Sequence, residues 1–61
     1  MMQVRFINSG LNTDEGIKEV ELQALRIDGH ERPYAIVSNP YQSGETVRAQ
    51  FLNDNWVVDL D

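Results

Sequence analysis

The feature that most limits what this chain can fold into is that its 61 residues include no cysteine. A domain this short buries only about 60% of the surface that its unfolded chain exposes, so its own core gives marginal stability. Small domains commonly gain further stability from disulfides, a structural metal or a partner subunit. The lack of cysteine excludes disulfides and thiolate zinc sites, and the single histidine, His30, cannot form a metal site alone. We therefore expect one domain, residues 1–61, stabilised by self-association or by docking on another protein.

The composition is that of a folded, acidic, soluble protein. The apolar fraction is 41%, and ten Asp and Glu against five Lys and Arg give a net charge of −5. Nucleic acids and anionic membranes bind accumulated positive charge, so both are disfavoured as partners. No apolar run is long enough to span a membrane, and the first residues lack the apolar core of a signal peptide. These features predict a cytoplasmic protein.

Two segments are typical of strands. In Met2–Asn8, apolar residues alternate with Gln3 and Arg5, which is the period of a strand with one buried face. A second strand is predicted over Tyr34–Ser38, with Pro33 at its start because proline donates no backbone hydrogen bond.

Residues 17–27 fit two interpretations. A helix at about 13–27 is supported by Asn12 or Thr13 as a cap and by Gly29 as a C-terminal signal. A strand is favoured because residues 19–24 alternate without a break.

In the strand interpretation, one extra residue near Gln23–Ala24 forms a β-bulge. The bulge brings Leu25 and Ile27 onto the inward face that carries Val20 and Leu22. Asp28-Gly29 then predicts a tight turn with positive φ.

The last two segments, 47–52 and 56–60, predict a hairpin. Val47, Ala49 and Phe51 alternate with Arg48 and Gln50, and Trp56, Val58 and Leu60 alternate with Val57 and Asp59. A two-residue turn at Asp54-Asn55 would pair Phe51 with Val58 and Ala49 with Leu60, which keeps the large apolar residues on one face.

The predicted fold class is mostly β: a small antiparallel sheet or a partly open five-stranded barrel in a single domain. If the segment at about 13–27 is helical, the alternative is an α+β fold with a four-stranded antiparallel sheet and one helix.

Residue types suited to catalysis are sparse. The three serines lie in or beside turn signals, where hydroxyls commonly bond to the local backbone. His30 lies between acidic residues in a predicted turn, which is typical of a solvated side chain. We therefore predict no enzymatic activity, no cofactor and no metal.

The residues singled out for partner binding are acidic side chains and one loop tyrosine. Glu19 and Glu21 are predicted on the outer face of the second strand, near Asp14 and Glu15 in the preceding loop. Tyr41, between Pro40 and Gln42, is predicted to be an exposed aromatic contact.

The leading functional hypothesis is a non-catalytic protein-interaction module, such as a regulator, inhibitor or accessory subunit, that uses a sheet edge or the acidic face. The alternatives are a structural homo-oligomer, dimeric or larger, and a small-barrel binder of single-stranded nucleic acid. The identity of the partner is left open.

Overall fold

The computed structural model describes residues 1–61 and contains no helix. The strands are β1 (Met2–Asn8), β2 (Thr13–Val20), β3 (Leu22–Ile27), β4 (Pro33–Ser38), β5 (Thr46–Leu52) and β6 (Asn55–Asp59). They form one six-stranded sheet in the order β2-β1-β6-β5-β4-β3. The mostly-β prediction is confirmed, and the alternative with a helix at about 13–27 is wrong, because those residues form two strands.

The two edge strands, β2 and β3, are consecutive in the chain and are joined by Glu21. β2 pairs with β1 and β3 pairs with β4, at opposite edges of the sheet. The N–H of Glu21 donates to Ser38 Oγ at 2.9 Å, and the N–H of Ser38 donates to the Glu21 carbonyl at 2.9 Å. These two bonds fix a corner at which the sheet curls towards itself without closing. The corner divides the single strand that the alternation predicted, so the sheet has six strands instead of five.

One strand pair is parallel. Phe6 of β1 lies opposite Val58 of β6, and these strands run in the same direction, whereas every other pair is antiparallel. The N–H of Leu60 continues the contact by donating to the Ile7 carbonyl at 2.7 Å. The sheet is therefore mixed, which differs from the purely antiparallel sheet expected, because curling brings the last strand beside the first.

The core lies on one face of the sheet, called here the inner face. Its fully buried side chains are small apart from one aromatic ring. They are Val4, Phe6, Val20, Ala35, Val37, Ala49 and Val58. Phe6 and Val4 are completely buried, as the alternation of β1 predicted.

The hairpin between β5 and β6 exists, but its register differs from the predicted one. The turn residues are Asn53 and Asp54, with φ of 51° and 64°, and Phe51 lies opposite Trp56. The predicted Phe51–Val58 pairing is wrong. Shifting the turn by one residue moves the partner by two positions and leaves every side chain on the same face. Positive φ at both central positions suits a tight hairpin turn.

The turn between β3 and β4 is also longer than predicted. It spans residues 28–32, and the positive φ lies at Glu31 (60°), not at Gly29. The carboxylate of Asp28 accepts the N–H groups of His30 at 2.8 Å and Arg32 at 3.0 Å. Asp28 thus organises a loop in which its side chain replaces missing backbone partners, so the tight two-residue turn is wrong.

Candidate interaction surface

The inner face of β3 carries three exposed apolar side chains, Leu22, Leu25 and Ile27, which we call the β3 rim. Leu22 lies opposite Val37 and Leu25 lies opposite Ala35, and directly opposed residues share a face. Val37 and Ala35 are fully buried, yet the exposed fractions of Leu22, Leu25 and Ile27 are 46%, 62% and 71%. The β3 rim is therefore a continuation of the core that nothing covers.

A β-bulge gives the β3 rim its composition. The pairing of β3 with β4 shifts between Leu22 and Ala24, which confirms the predicted bulge near Gln23–Ala24. Strict alternation from Leu22 would put Ala24 on the inner face and Leu25 on the outer one. The extra residue reverses this, so the inner face carries Leu25 instead.

The edge of β3 that faces away from β4 is an open edge of the sheet. An edge strand presents unpaired N–H and C=O groups that can pair with another strand. Proteins commonly protect such edges with charged side chains, proline or an inward-pointing charge. The only charged residue of β3 is Arg26, and β3 contains neither proline nor carboxylate. β3 is thus an edge with little protection.

The other edge strand, β2, is protected. It contains Asp14, Glu15 and Glu19. Lys18 lies opposite Val4, on the inner face, so β2 also carries an inward-pointing charge. The two edges of one sheet therefore differ in their readiness to pair with another strand.

A mixed polar and apolar surface continues from the β3 rim at one end of the sheet. Ile27 lies opposite Pro33, and Pro33 and Phe51 line one surface cavity together with polar and charged residues such as Asp28 and Arg32. The ring of Phe51 is 44% exposed and lies 5.1 Å from that of Trp56, centroid to centroid. Phe51 was predicted to lie on the same face as the core residues. It does lie on the inner face, but at an end of the sheet where its ring is partly exposed.

Asp14 and Glu15 lie within β2, not in the loop where they were predicted. Asp14 is opposite Ile7 and Gly16 is opposite Phe6, so Glu15 is the extra residue of a bulge. The Asp14 carboxylate accepts the Gly16 N–H at 2.8 Å and contacts the Arg5 guanidinium at 2.8 Å. The Gly16 N–H and then Arg5 lower the pKa of Asp14. Its charge is therefore engaged within the chain.

The predicted acidic residues do not form one cluster. Glu19 lies opposite Gln3 on the outer face, whereas Glu21 forms the corner beside Ser38. Asp14 and Glu19 lie opposite Ile7 and Gln3, four positions apart on β1, which corresponds to roughly 13 Å at about 3.3 Å per residue. The negative charge is spread along the β2 edge.

Tyr41 lies in the loop between β4 and β5 and covers one end of the core. Its ring approaches that of Phe6 edge-on, with centroids 5.6 Å apart, and the Lys18 ammonium lies 5.3 Å from its centroid. The side chain is 49% exposed. Tyr41 therefore has a packing role, and its predicted contact with a partner stays a prediction.

Arginine and tyrosine side chains meet on the outer face, where a nucleic-acid surface would need them. Arg26, Tyr34 and Gln50 lie side by side on neighbouring strands. The Arg48 guanidinium stacks 3.9 Å from the Tyr34 centroid and lies 3.5 Å from the Asp28 carboxylate. The N–H groups of Arg32 and His30, followed by Arg48, lower the pKa of Asp28. Much of the charge of Arg48 is thus matched internally.

Comparisons of the chain with family models, curated protein sequences and solved structures find no match. No helix of the fold is long and apolar enough to cross a membrane, and no group of three or more His, Asp or Glu is arranged to hold a metal ion.

Sequence reasoning missed the β3 rim as a surface. It predicted Leu22, Leu25 and Ile27 to point inward, and they do lie on the inner face. The signal that could have found the surface is the composition of β3, a strand without carboxylates in a chain of net charge −5.

Proposed function

We propose that this chain is a non-catalytic interaction module that binds a protein partner through the β3 edge. A strand of the partner would extend the sheet beside β3 and cover the β3 rim. The observation that carries the proposal is the exposure of Leu25 and Ile27, 62% and 71%, beside a sheet edge whose only charged residue is Arg26.

The energetics of strand addition fit this surface. Backbone hydrogen bonds along an added strand supply affinity, and contacts with alternate side chains supply specificity. Covering the exposed parts of the three apolar side chains would contribute on the order of 3 to 5 kcal/mol, at about 1.5 to 3 kcal/mol for each fully buried Leu or Ile. Part of that gain offsets the entropy lost on association.

The acidic face is less well supported as the binding surface. Asp14 is paired with Arg5, and exposed ion-pairing surfaces gain little free energy on average. Single-stranded nucleic acid is also less well supported, because the net charge is −5 and both Arg5 and Arg48 have carboxylate partners. Cytoplasmic location and the lack of enzymatic activity stay expectations from the composition.

The test is a capture experiment with a matched pair of variants. The tagged chain, Ile27→Asp and Ile17→Asp are each incubated with lysate and with an untagged copy of the chain. Ile17 is 54% exposed on the β2 edge, so it controls for the addition of a carboxylate to an exposed edge strand. We expect the wild type and Ile17→Asp to retain the same protein, and Ile27→Asp to lose it.

Two results would contradict the proposal. One is that the tagged chain retains nucleic acid but retains neither a protein from the lysate nor the untagged copy of the chain. The other is loss of the retained protein in Ile17→Asp but not in Ile27→Asp. Circular dichroism of each variant before capture shows that the sheet is intact.

A further inference from the structure

We infer that the strand added at the β3 edge is β3 of a second copy of this chain, in an antiparallel pair related by a two-fold axis. This inference rests on the proposed function and names the partner. A two-fold interface requires a surface that is complementary to itself, and β3 meets this requirement in its charge and in its register.

The distribution of charge favours β3 as the contact between two copies. Each chain has a net charge of −5, so two copies repel each other over most of their surface. β2 contains three carboxylates, Asp14, Glu15 and Glu19, whereas β3 contains none. Of the two edge strands, β3 is therefore the one that can pair with its own copy without placing a carboxylate within the strand pair.

The register follows from the parity of β3. An antiparallel pair with Leu25 opposite Leu25 of the second copy keeps both inner faces on one side. Ala24 then lies opposite Arg26 of the second copy, so the two arginines do not face each other. Directly opposed Cβ atoms lie about 4.5 to 5.5 Å apart, which places the two leucine side chains in contact at the axis.

The same register matches the ends of the two β3 strands. Gln23 is the extra residue of the bulge between Leu22 and Ala24, so Leu22 of one copy lies opposite Ile27 of the other. Both side chains lie on the inner face, so each end of the interface adds an apolar pair to the two central leucines. The two-fold axis repeats this contact at the other end of the interface.

Dimerisation would also enlarge the small hydrophobic core of the chain. Only seven residues of the single chain are buried, which is little for a domain without disulfides. Pairing the two β3 strands joins the inner faces into one apolar surface. Leu25 would then contact Leu25 of the second copy, and Leu22 would contact Ile27, instead of water.

Sedimentation equilibrium with charge-swapped variants tests the inference. We expect wild type to sediment at twice the 7.0 kDa of one chain. Leu25→Asp and Leu25→Lys should each sediment as monomers, because like charges directly opposite destabilise a strand pair. An equal mixture of the two should recover the dimeric mass. Ile17→Asp should remain dimeric.

The mixture distinguishes the loss of dimerisation from unfolding, because two unfolded variants would not form a dimer when they are mixed. A second measurement locates the contact: in a mixture of isotope-labelled and unlabelled wild-type chains, nuclear Overhauser effects should join Leu25 methyl groups of different copies.

A wild-type monomer at millimolar concentration would overturn the inference. So would dimers of Leu25→Asp or of Leu25→Lys alone, or loss of the dimer in Ile17→Asp. If the chain is monomeric but still retains another protein through Ile27, the proposed function stands and only the identity of the partner is wrong.

Discussion

The inner faces of β2 and β3 belong to one sheet, are separated by one residue, and differ sharply in exposure. Val20 near the end of β2 is 1% exposed, whereas Leu25 in β3 is 62% exposed. Val20 lies opposite Met2, beside the corner at Glu21, and the other end of the β1–β2 face is covered at Phe6 by Tyr41, from the loop between β4 and β5. Leu22 and Ile27 of β3 are exposed as well. The difference shows that the face to which a side chain points does not determine whether that side chain is buried, because burial also requires another part of the protein to pack against that face.

The largest expected effect contrasts a buried side chain of the β1–β2 region with one of the β3 rim. Phe6→Ala removes a completely buried ring, so the free energy of unfolding should fall by about 3 to 5 kcal/mol. That loss is enough to unfold a domain of this size. Leu25→Ala removes an exposed side chain, and the free energy of unfolding should change by less than about 0.5 kcal/mol.

Circular dichroism and urea denaturation at low micromolar concentration, where dimerisation contributes least, check both expectations. Phe6→Ala should have lost most of its sheet signal without urea, whereas Leu25→Ala should unfold at nearly the urea concentration of wild type. Equal effects of Phe6→Ala and Leu25→Ala would break the contrast, because they would mean that the β3 rim is covered within the single chain.

A smaller effect is expected from removing the cover over the β1–β2 end. Tyr41→Ala deletes the edge-on contact with Phe6 and the contact with Lys18, which should lower the free energy of unfolding by about 1 kcal/mol. It should also make this end resemble the β3 rim, so binding of an apolar fluorescent dye should increase.

Tyr41→Phe is the matched control, because it keeps the ring and removes only the hydroxyl. Its stability and dye binding should stay close to those of the wild type. A loss in Tyr41→Phe equal to that in Tyr41→Ala would show that the hydroxyl, not the ring, provides the cover.

The smallest effect concerns the turn that ends β3. The pKa of Asp28 is lowered from its ordinary value of 3.8, so its carboxylate stabilises the fold above that pH. The contribution is lost as the pH falls from 3.8 through the lowered pKa of the folded state. Asp28→Asn should therefore be less stable than wild type at neutral pH, with a difference that narrows in acid.

Urea denaturation of both proteins at a pH of about 7 and about 2.5 measures this difference. Asp14→Asn gives the same comparison at the β2 edge, where the Gly16 N–H and Arg5 hold the carboxylate. A difference between Asp28→Asn and wild type that does not change with pH would contradict the role of the carboxylate in the β3–β4 turn.

The hairpin shows what the alternation of side chains along a strand can predict and what it cannot. Pairing Phe51 with Val58 and pairing Phe51 with Trp56 both keep apolar side chains on one face, because the partners differ by two positions. The choice depends on the turn, where Asn53 and Asp54 both adopt positive φ, and on the contact between two aromatic rings. Neither is part of the alternation, so the sequence predicted the hairpin but not its register.

The acidic residues show a similar limit. Asp14, Glu15, Glu19 and Glu21 were chosen for their charge and spacing along the chain. Arg5, nine positions before Asp14, becomes its ion-pair partner only when β1 and β2 are side by side. The sequence shows which side chains are charged, whereas the pairing of the strands decides which of these side chains form ion pairs within the chain and which remain free to bind a partner.

The sequence by itself determined the strands β1, β4, β5 and β6 and their inward side chains, and it predicted the bulge in β3, because alternation repeats every two residues and is set locally. It left open whether residues 17–27 form a strand or a helix. Only the tertiary structure decided the corner at Glu21, the parallel contact of β1 with β6 and the exposure of the β3 rim. These features depend on residues far apart in the chain. Val20, just before the corner at Glu21, became part of the core, whereas Leu22, Leu25 and Ile27, after the corner, remain a surface because the fold of the single chain leaves them exposed.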